Sequence, residues 1–523
     1  MKRKALLLFP PNWSACVAGP HLALPLLAGA GKEMGWQVEV WDLSEEFYLT
    51  SCDPPSRAAV SQSVREQNYD ELDGIYFRWE DQLRALPCAG ELGRSFGLLT
   101  GYSFAPWRSL PLSEVARLTR TGTPYTRFYA EHALPRLLDY APSVVGITIA
   151  SQEQIVPALE LLSLVRAALP EAFLILGGNV LTRLRETTAF AVLTSLADQL
   201  VIFQGDMAFR RCLQTVGQAG VKSAREILPK VASDELIPYE QWPVPCFDGI
   251  ALARGVGVPA LPYVSTRGCY WGRCHFCAIP AGWSKKGYGG SAPAEFIKPQ
   301  LEEMARQTGI ARIKFVDEAL APAKARRLAS LMSESECRIE WEAYARLETL
   351  WEETRLLEEA RASGLRKLYF GLEQAPETPR QYLNKNDHGD PLRILRACQR
   401  AGISVHLFCM VGHPGTSRAD AMATVRFLIE HQELVDTADL VGFRLDRGTS
   451  VPGVTPTLDG QSDWALSAPY TPNETNGLSF EAVCDLEAEC QEELWKTVPR
   501  LLHPLYRIVG NWDASSSVVS ERG

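Results

Sequence analysis

The segment Ser143–Ala150 (SVVGITIA) is apolar at nearly every position. A strand with one face in water alternates polar and apolar residues. One without that alternation must be covered on both faces, as in a parallel sheet between two layers of helices. The same grammar recurs on either side. Lys4–Phe9 (KALLLF) reads as a buried strand ended by Pro10-Pro11-Asn12, Leu22–Met34 as a helix closed by Gly35, and Trp36–Leu43 as a strand. Beyond residue 150, Gln154–Leu169 reads as an amphipathic helix. Phe173–Leu176 reads as a strand running into Gly177-Gly178-Asn179, and Gln199–Phe203 as one running into Gly205-Asp206. These are the units of a doubly wound sheet, whose ligands sit at the carboxyl ends of the strands. Those ends carry Thr148, Ser151, Gly177, Gly178, Asn179, Gly205 and Asp206. Small residues there let a large flat ligand approach the backbone. Residues 45–135, rich in Trp, Pro, Ser and Arg, read as an irregular insertion.

Residues 226–262 hold six prolines and read as a linker. A second series of strands follows at Pro262–Ser265, Ile313–Val316, Ile339–Ala343, Lys367–Leu372, Ser404–Val411 and Leu440–Leu445, mostly separated by helical stretches. Five or six parallel strands with crossover helices predict a partial or full α/β barrel over 263–445. The region 446–523 begins with a Pro/Gly/Thr-rich loop, continues as a helix over Phe480–Trp495, and ends in a polar segment expected to fray. A length of 523 residues accommodates about three such domains. The net charge of −9 speaks against a general nucleic-acid-binding surface. No apolar run approaches the ~18 residues of a membrane span. The apolar run after Met1–Lys4 is too short for a signal-peptide core, so a cytoplasmic chain with reduced thiols is expected.

Thirteen cysteines, an odd number, argue against a complete disulfide framework. Ten of them (Cys16, Cys52, Cys88, Cys212, Cys246, Cys337, Cys398, Cys409, Cys484 and Cys490) are scattered and read as small packing residues. Cys269, Cys274 and Cys277 instead share one loop just after a predicted strand, spaced C-x4-C-x2-C. Zinc takes four ligands, and the nearest fourth, His275, lies awkwardly between two of the cysteines. Three thiolates hold three irons of a [4Fe-4S] cluster and leave one iron open to a substrate. Iron–sulfur is the preferred reading, with zinc or no metal as the alternatives.

This loop resembles that of the radical S-adenosylmethionine (SAM) enzymes, which place three cysteines after the first barrel strand, with an aromatic residue before the last. Phe276 matches that aromatic; the first gap is one residue longer than the usual C-x3-C. The resemblance implies SAM contacts at the ends of later strands. These are Asp317 or Glu318 for the amino group, Arg346 for the carboxylate, Glu373 for the ribose, and the backbone from Met410 to Gly412 for the adenine. The first half resembles the cobalamin-binding domain that precedes the barrel in one subclass. Pro11, His21, Leu22, Thr148, Ser151, Gly177, Gly178, Asn179, Gly205 and Asp206 are then the implied cobalamin contacts. Gln204-Gly205-Asp206 stands where relatives carry Gly-Glu-Gly, and the D-x-H-x-x-G motif that supplies a histidine to cobalt elsewhere is absent.

Residues 265–277 are most similar to one group of this subclass, the C-methyltransferases that mature ribosomally made peptides (RiPPs). The implied fold is α/β. It has a Rossmann-like cobalamin domain over 1–225, a partial (β/α)6-type radical SAM barrel over 263–445, and a mainly helical substrate-side region over 446–523. The implied cofactors are a [4Fe-4S] cluster, SAM and cobalamin. The implied partners are a low-potential donor such as flavodoxin or ferredoxin and a peptide or small natural-product substrate, without nucleic acid or membrane. The implied reaction methylates an unactivated carbon through a 5′-deoxyadenosyl radical and methylcobalamin. Two alternatives stay open: a radical rearrangement, cyclisation or epimerisation with the same cofactors, and a non-enzymatic cobalamin- or metal-binding regulator.

Overall fold

The computed structural model describes residues 3–11, 20–53, 56–86, 96–97, 101–102, 111–234, 236–250, 259–283, 288–378, 383–385, 389–457, 463–472 and 477–505. Cys16, Cys88 and the polar end after 505 lie outside the described residues.

The first sheet contains β1 (Lys4–Phe9), β2 (Gln37–Asp42), β3 (Val144–Thr148), β4 (Phe173–Gly177), β5 (Gln199–Phe203) and β6 (Val231–Asp234). Their spatial order is β2-β1-β3-β4-β5-β6, and every pairing is parallel. One face packs on α1 (Ala23–Glu33) and α3 (Asp206–Ile227) through Leu7, Phe9, Phe209 and Leu213. The other face packs on α2 (Ile155–Ala168) through Leu6, Leu8, Ile147 and Leu162. The order of the strands reverses between β1 and β3, and such a switch point opens a crevice at their carboxyl ends.

Two expectations change here. The stretch 45–135 is largely helical in its described part, with helices at Leu43–Ser51, Arg57–Arg65, Tyr69–Arg84, Leu112–Thr121 and Pro124–Phe128. Their buried residues, among them Phe47, Val60, Leu72, Trp79, Val115 and Tyr125, extend the core of the first domain. Scattered Trp, Pro and Arg hide that periodicity in the sequence. The stretch 226–262 is also more than a linker, since β6 completes the first sheet by pairing Leu200 to Val231. The rest of it folds back onto α1, where the Cys246 amide donates to the carbonyl of Pro25 at 2.9 Å.

The second sheet contains β7 (Leu261–Tyr263), β8 (Arg312–Phe315), β9 (Glu340–Ala345), β10 (Leu365–Glu373), β11 (Ser404–Val411) and β12 (Thr437–Gly442). These six strands are parallel and lie in sequential order, so the barrel is partial. Its outer face carries Ile313, Phe315, Trp341, Phe370 and Leu407, buried under the crossover helices.

The C-terminal region combines α4 (Phe480–Thr497) and the short helix Pro499–Leu502 with two small antiparallel strand pairs. It packs on both domains. Leu486, Cys490 and Leu494 of α4 join the barrel core, whereas Trp464, Ala465, Leu466 and Leu505 join the core of the first domain. The His503 imidazole lies 3.2 Å from the Asp73 carboxylate.

Gly29 of α1 lies against the segment after β6, where an added Cβ would come within 2.0 Å of the Val244 carbonyl oxygen. Gly29→Ala should therefore push this segment off α1 and cost about 1–3 kcal/mol. A lowered melting temperature together with faster proteolysis between residues 236 and 262 is the expected result.

Candidate active site

One cavity of 1170 Å³ joins the two sheets, larger than the several hundred Å³ typical of a single drug-sized ligand. The switch-point side contributes His21, Leu22, Thr148, Gly177, Gly178, Asn179, Gly205 and Asp206, eight of the ten residues expected there. Pro11 and Ser151 are outside its lining. Ser151 instead caps the short turn Gln152–Gln154 that leads into α2. His21 stacks on Phe9, and burial lowers its imidazole pKa to about 4.

The glycines keep this wall open. At Gly177 and Gly205 an added Cβ would meet no atom closer than 3.7 Å, and neither residue has a positive φ. Neither close packing nor backbone conformation requires glycine there, so their effect is the space they leave in the cavity. Gly178 differs: its φ is +111° and a Cβ would come within 2.3 Å of the Ile149 carbonyl oxygen. The wall therefore fits a broad ligand lying against the strand ends.

The cysteine loop enters from the other sheet. Gly268 and Gly272, with φ of +84° and +60°, make its turns. The Cys277 amide donates to the Cys274 carbonyl at 3.2 Å, and the His275 amide to Leu383 at 3.1 Å. Phe276 and Cys277 face the cavity. Burial pushes the Cys274 thiol up to about 11 and the Cys277 thiol up to about 12. Among the described residues no three His, Cys, Asp or Glu side chains are already gathered as a metal site, so the thiols share a loop without being drawn together. The donor set itself is three thiols, which fits a cluster with one open iron.

The residues expected to contact SAM divide. Glu318 lines the cavity near Cys277, accepts from Trp283 Nε1 at 3.0 Å, and is raised to about 7 by burial. Asp317 does not face the cavity. Its carboxylate accepts from the Ser265 and Thr266 amides and the Ser265 hydroxyl, so it holds the end of β7 in place. Arg346 lies over the rings of Tyr270 and Trp271 and 3.5 Å from Glu348, where it supports the loop from behind. Glu373 pairs with Lys385 Nζ at 2.8 Å. Met410 is buried with Leu383, Phe443 and Val483. Gly412 has φ +71° and packs so closely on Val483 that a Cβ would come within 2.7 Å of it. Arg346, Glu373, Met410 and Gly412 are not among the cavity-lining residues.

Asp206 lines the cavity and also has a charged partner of its own. Its carboxylate receives both Arg267 Nη groups, at 2.7 and 2.9 Å, and Gln204 Oε1 accepts from the same guanidinium. Arg267 lies over the Trp242 ring at 4.6 Å. Its side chain is 3% exposed and that of Asp206 8%, so the pair is buried. This bond ties the start of α3 to the loop two residues before Cys269. No sequence pattern links the two partners, which are 61 residues apart.

The sequence reading also missed the inner face of the barrel. Arg312 and Lys314 of β8, Glu342 and Tyr344 of β9, Tyr369 of β10 and Phe408 of β11 line the cavity below the cluster loop. Their signal was available, since alternate positions in these strands are polar or aromatic.

Residues 263–428 match the family model of the Radical SAM superfamily. This part of the chain is a radical SAM domain. The whole chain is similar in fold to the radical SAM methyltransferase TsrM from Kitasatospora setae, solved with cobalamin and a [4Fe-4S] cluster bound. There the identity is 15%, the coverage 100% of this chain and 94% of that one, and the TM-score 0.58. TsrM with tryptophan substrate and the SAM analogue aza-SAM matches with 17% identity over 88% of this chain and 80% of that one, TM-score 0.51. The cobalamin-dependent SAM radical enzyme OxsB, with aqua-cobalamin and SAM bound, matches with 13% identity over 97% of this chain and 58% of that one, TM-score 0.53. No curated protein matches the sequence. The fold is thus the one shared with TsrM and OxsB. No helix among the described residues is long and apolar enough to cross a membrane.

Arg267→Met leaves the Asp206 carboxylate buried and unpaired and should destabilise the protein by about 3–5 kcal/mol. The double variant Arg267→Met/Asp206→Leu removes both charges and should recover most of that loss. Thermal unfolding of the two variants checks the order.

Proposed function

We propose that this chain is a cobalamin-dependent radical SAM methyltransferase acting on an unactivated carbon of a small natural product or a peptide. The observation that carries this reading is the shared cavity. Phe276 and Cys277 of the cluster loop face the same space as Gly177, Gly178, Asn179 and Gly205 of the switch-point wall. A hydrogen-abstracting centre and a methyl donor must reach the same carbon in turn, so their sites have to open into one another. The fold likeness to TsrM, solved with cobalamin and a [4Fe-4S] cluster, and to OxsB, solved with aqua-cobalamin and SAM, supports the same assignment.

When bound, a [4Fe-4S] cluster with SAM supplies the radical and cobalamin supplies the methyl group. Cys269, Cys274 and Cys277 would hold the cluster, and an iron without a protein ligand would be the place for the amino-acid end of SAM. Glu318, positioned by Trp283, offers a carboxylate to the SAM ammonium. Gly177 and Gly205 leave room for the corrin, while Val264, Val316 and Ile279 give the cavity an apolar wall that limits water. Electrons come from a low-potential donor of the flavodoxin or ferredoxin kind.

Reduction of the reconstituted protein with SAM is expected to release 5′-deoxyadenosine, and alanine at Cys269, Cys274 or Cys277 should reduce this to background. With its substrate, the enzyme should form S-adenosylhomocysteine alongside deoxyadenosine and a product heavier by one methyl-for-hydrogen replacement. Deoxyadenosine formation that survives loss of all three thiols ends the cluster assignment.

Purification with hydroxocobalamin should give a stoichiometric corrinoid spectrum. Gly177→Leu should lose that spectrum with little change in melting temperature, because its side chain enters only the cavity. A colourless wild-type protein counts against the cobalamin assignment.

A further inference from the structure

The inner face of the partial barrel carries an arrangement that neither the cluster nor the switch-point wall accounts for. The interior of a closed α/β barrel is normally filled by branched apolar side chains. Here the cavity runs along the whole of β8, a strand about 10 Å long, down to Arg312. Its floor is charged and aromatic. Lys314 Nζ lies 3.5 Å from Glu342 Oε1 and over the rings of Tyr369 at 4.5 Å and Tyr344 at 5.3 Å. Glu342 in turn accepts from the Tyr369 hydroxyl at 3.1 Å. The rings of Tyr344 and Phe408 are nearly parallel, at 22°.

Two features make this a binding surface rather than a satisfied interior pair. First, the Lys314 side chain is 31% exposed although it lies inside the barrel, and the space it meets is the cavity. Its ion pair with Glu342, at 3.5 Å, is long for a charge-assisted hydrogen bond, and Tyr344 is its other polar partner, so of the three ammonium donors at least one is left toward that space. Second, among the described residues the charged side chains lining this floor are Arg312 and Lys314 against Glu342. Arg312 is held by Glu340 at 3.0 Å, and Lys367, also over the Tyr369 ring, is buried on Thr437 and does not line the cavity, so Lys314 is the cation this floor presents to it.

We propose that Lys314, oriented by Glu342 and framed by Tyr344, Tyr369 and Phe408, receives a carboxylate of the substrate, whose flat apolar body lies against these rings. This deepens the reading under Proposed function and rests on it. It narrows the substrate to an acid small or slender enough to pass below the cluster loop.

Binding of 2-naphthoate and of its uncharged isostere 2-naphthamide to the reconstituted holoprotein tests it by calorimetry. A charge-assisted hydrogen bond predicts that the acid binds at least about tenfold more tightly than the amide. Lys314→Met should abolish this preference and Lys314→Arg should keep part of it. Lys314→Met leaves Glu342 without its cation, so the double variant Lys314→Met/Glu342→Gln guards against misfolding and should also bind acid and amide alike. Equal binding of both probes to the wild type, no binding of either, or a preference that persists in the double variant overturns the proposal. All variants should retain the corrinoid spectrum and substrate-free deoxyadenosine formation. Loss of these in the wild type would instead strike the functional reading itself.

Discussion

The bidentate pair between Arg267 and Asp206 fixes how the two halves of this protein meet. Asp206 begins α3 at the carboxyl edge of the first sheet, and Arg267 stands two residues before the first cluster cysteine. An ion pair this deeply buried gains little as a stabilising contact, because removing two charges from water costs nearly as much as their attraction returns. Its consequence is geometric. A planar guanidinium gripping a carboxylate with two parallel bonds admits one relative orientation. Trp242 and Gln204 close the remaining sides. The switch-point crevice and the cysteine loop therefore face one cavity.

The rest of the molecule reinforces that placement. The helix Ile279–Trp283, just past the cysteines, lies so close to the first domain that a Cβ on Gly282 would come within 2.9 Å of the Asn179 side-chain oxygen. On the far side the C-terminal region acts as a strap. Arg183 of the first domain pairs with Asp446 at 3.1 Å and donates to the Leu466 carbonyl at 3.0 Å. Gln152 Oε1 accepts from the Leu466 amide at 2.6 Å. Each half has its own apolar core, so each has its own cause of stability, while the polar contacts between them determine alignment.

Much of this was legible in the chain. Apolar strands ending in small residues predicted the first sheet and most of the switch-point wall, because strand ends and ligand crevices coincide by construction in parallel sheets. The cysteine spacing located the cluster loop for a similar reason, since all three donors are local in sequence. What was illegible depended on partners far apart in the chain. Asp317 and Glu373 stand at strand ends where a ligand-binding acid was expected, but Asp317 holds Ser265 and Thr266, and Glu373 holds Lys385. A strand end supplies amides and cations as readily as a cavity does. The helices within 45–135 were obscured because their buried faces are set by a core contributed mainly by other elements.

By itself, the sequence determined two parallel α/β units and a three-thiol loop. Periodicity and close spacing are local properties, and they act before any long-range contact forms. Only the tertiary structure decided that both units open into one space, that Asp206 belongs to Arg267, and that the barrel floor presents Lys314 to the cavity. Those outcomes depend on which buried charge finds which partner across the fold, and pairing at that distance leaves no period in the chain.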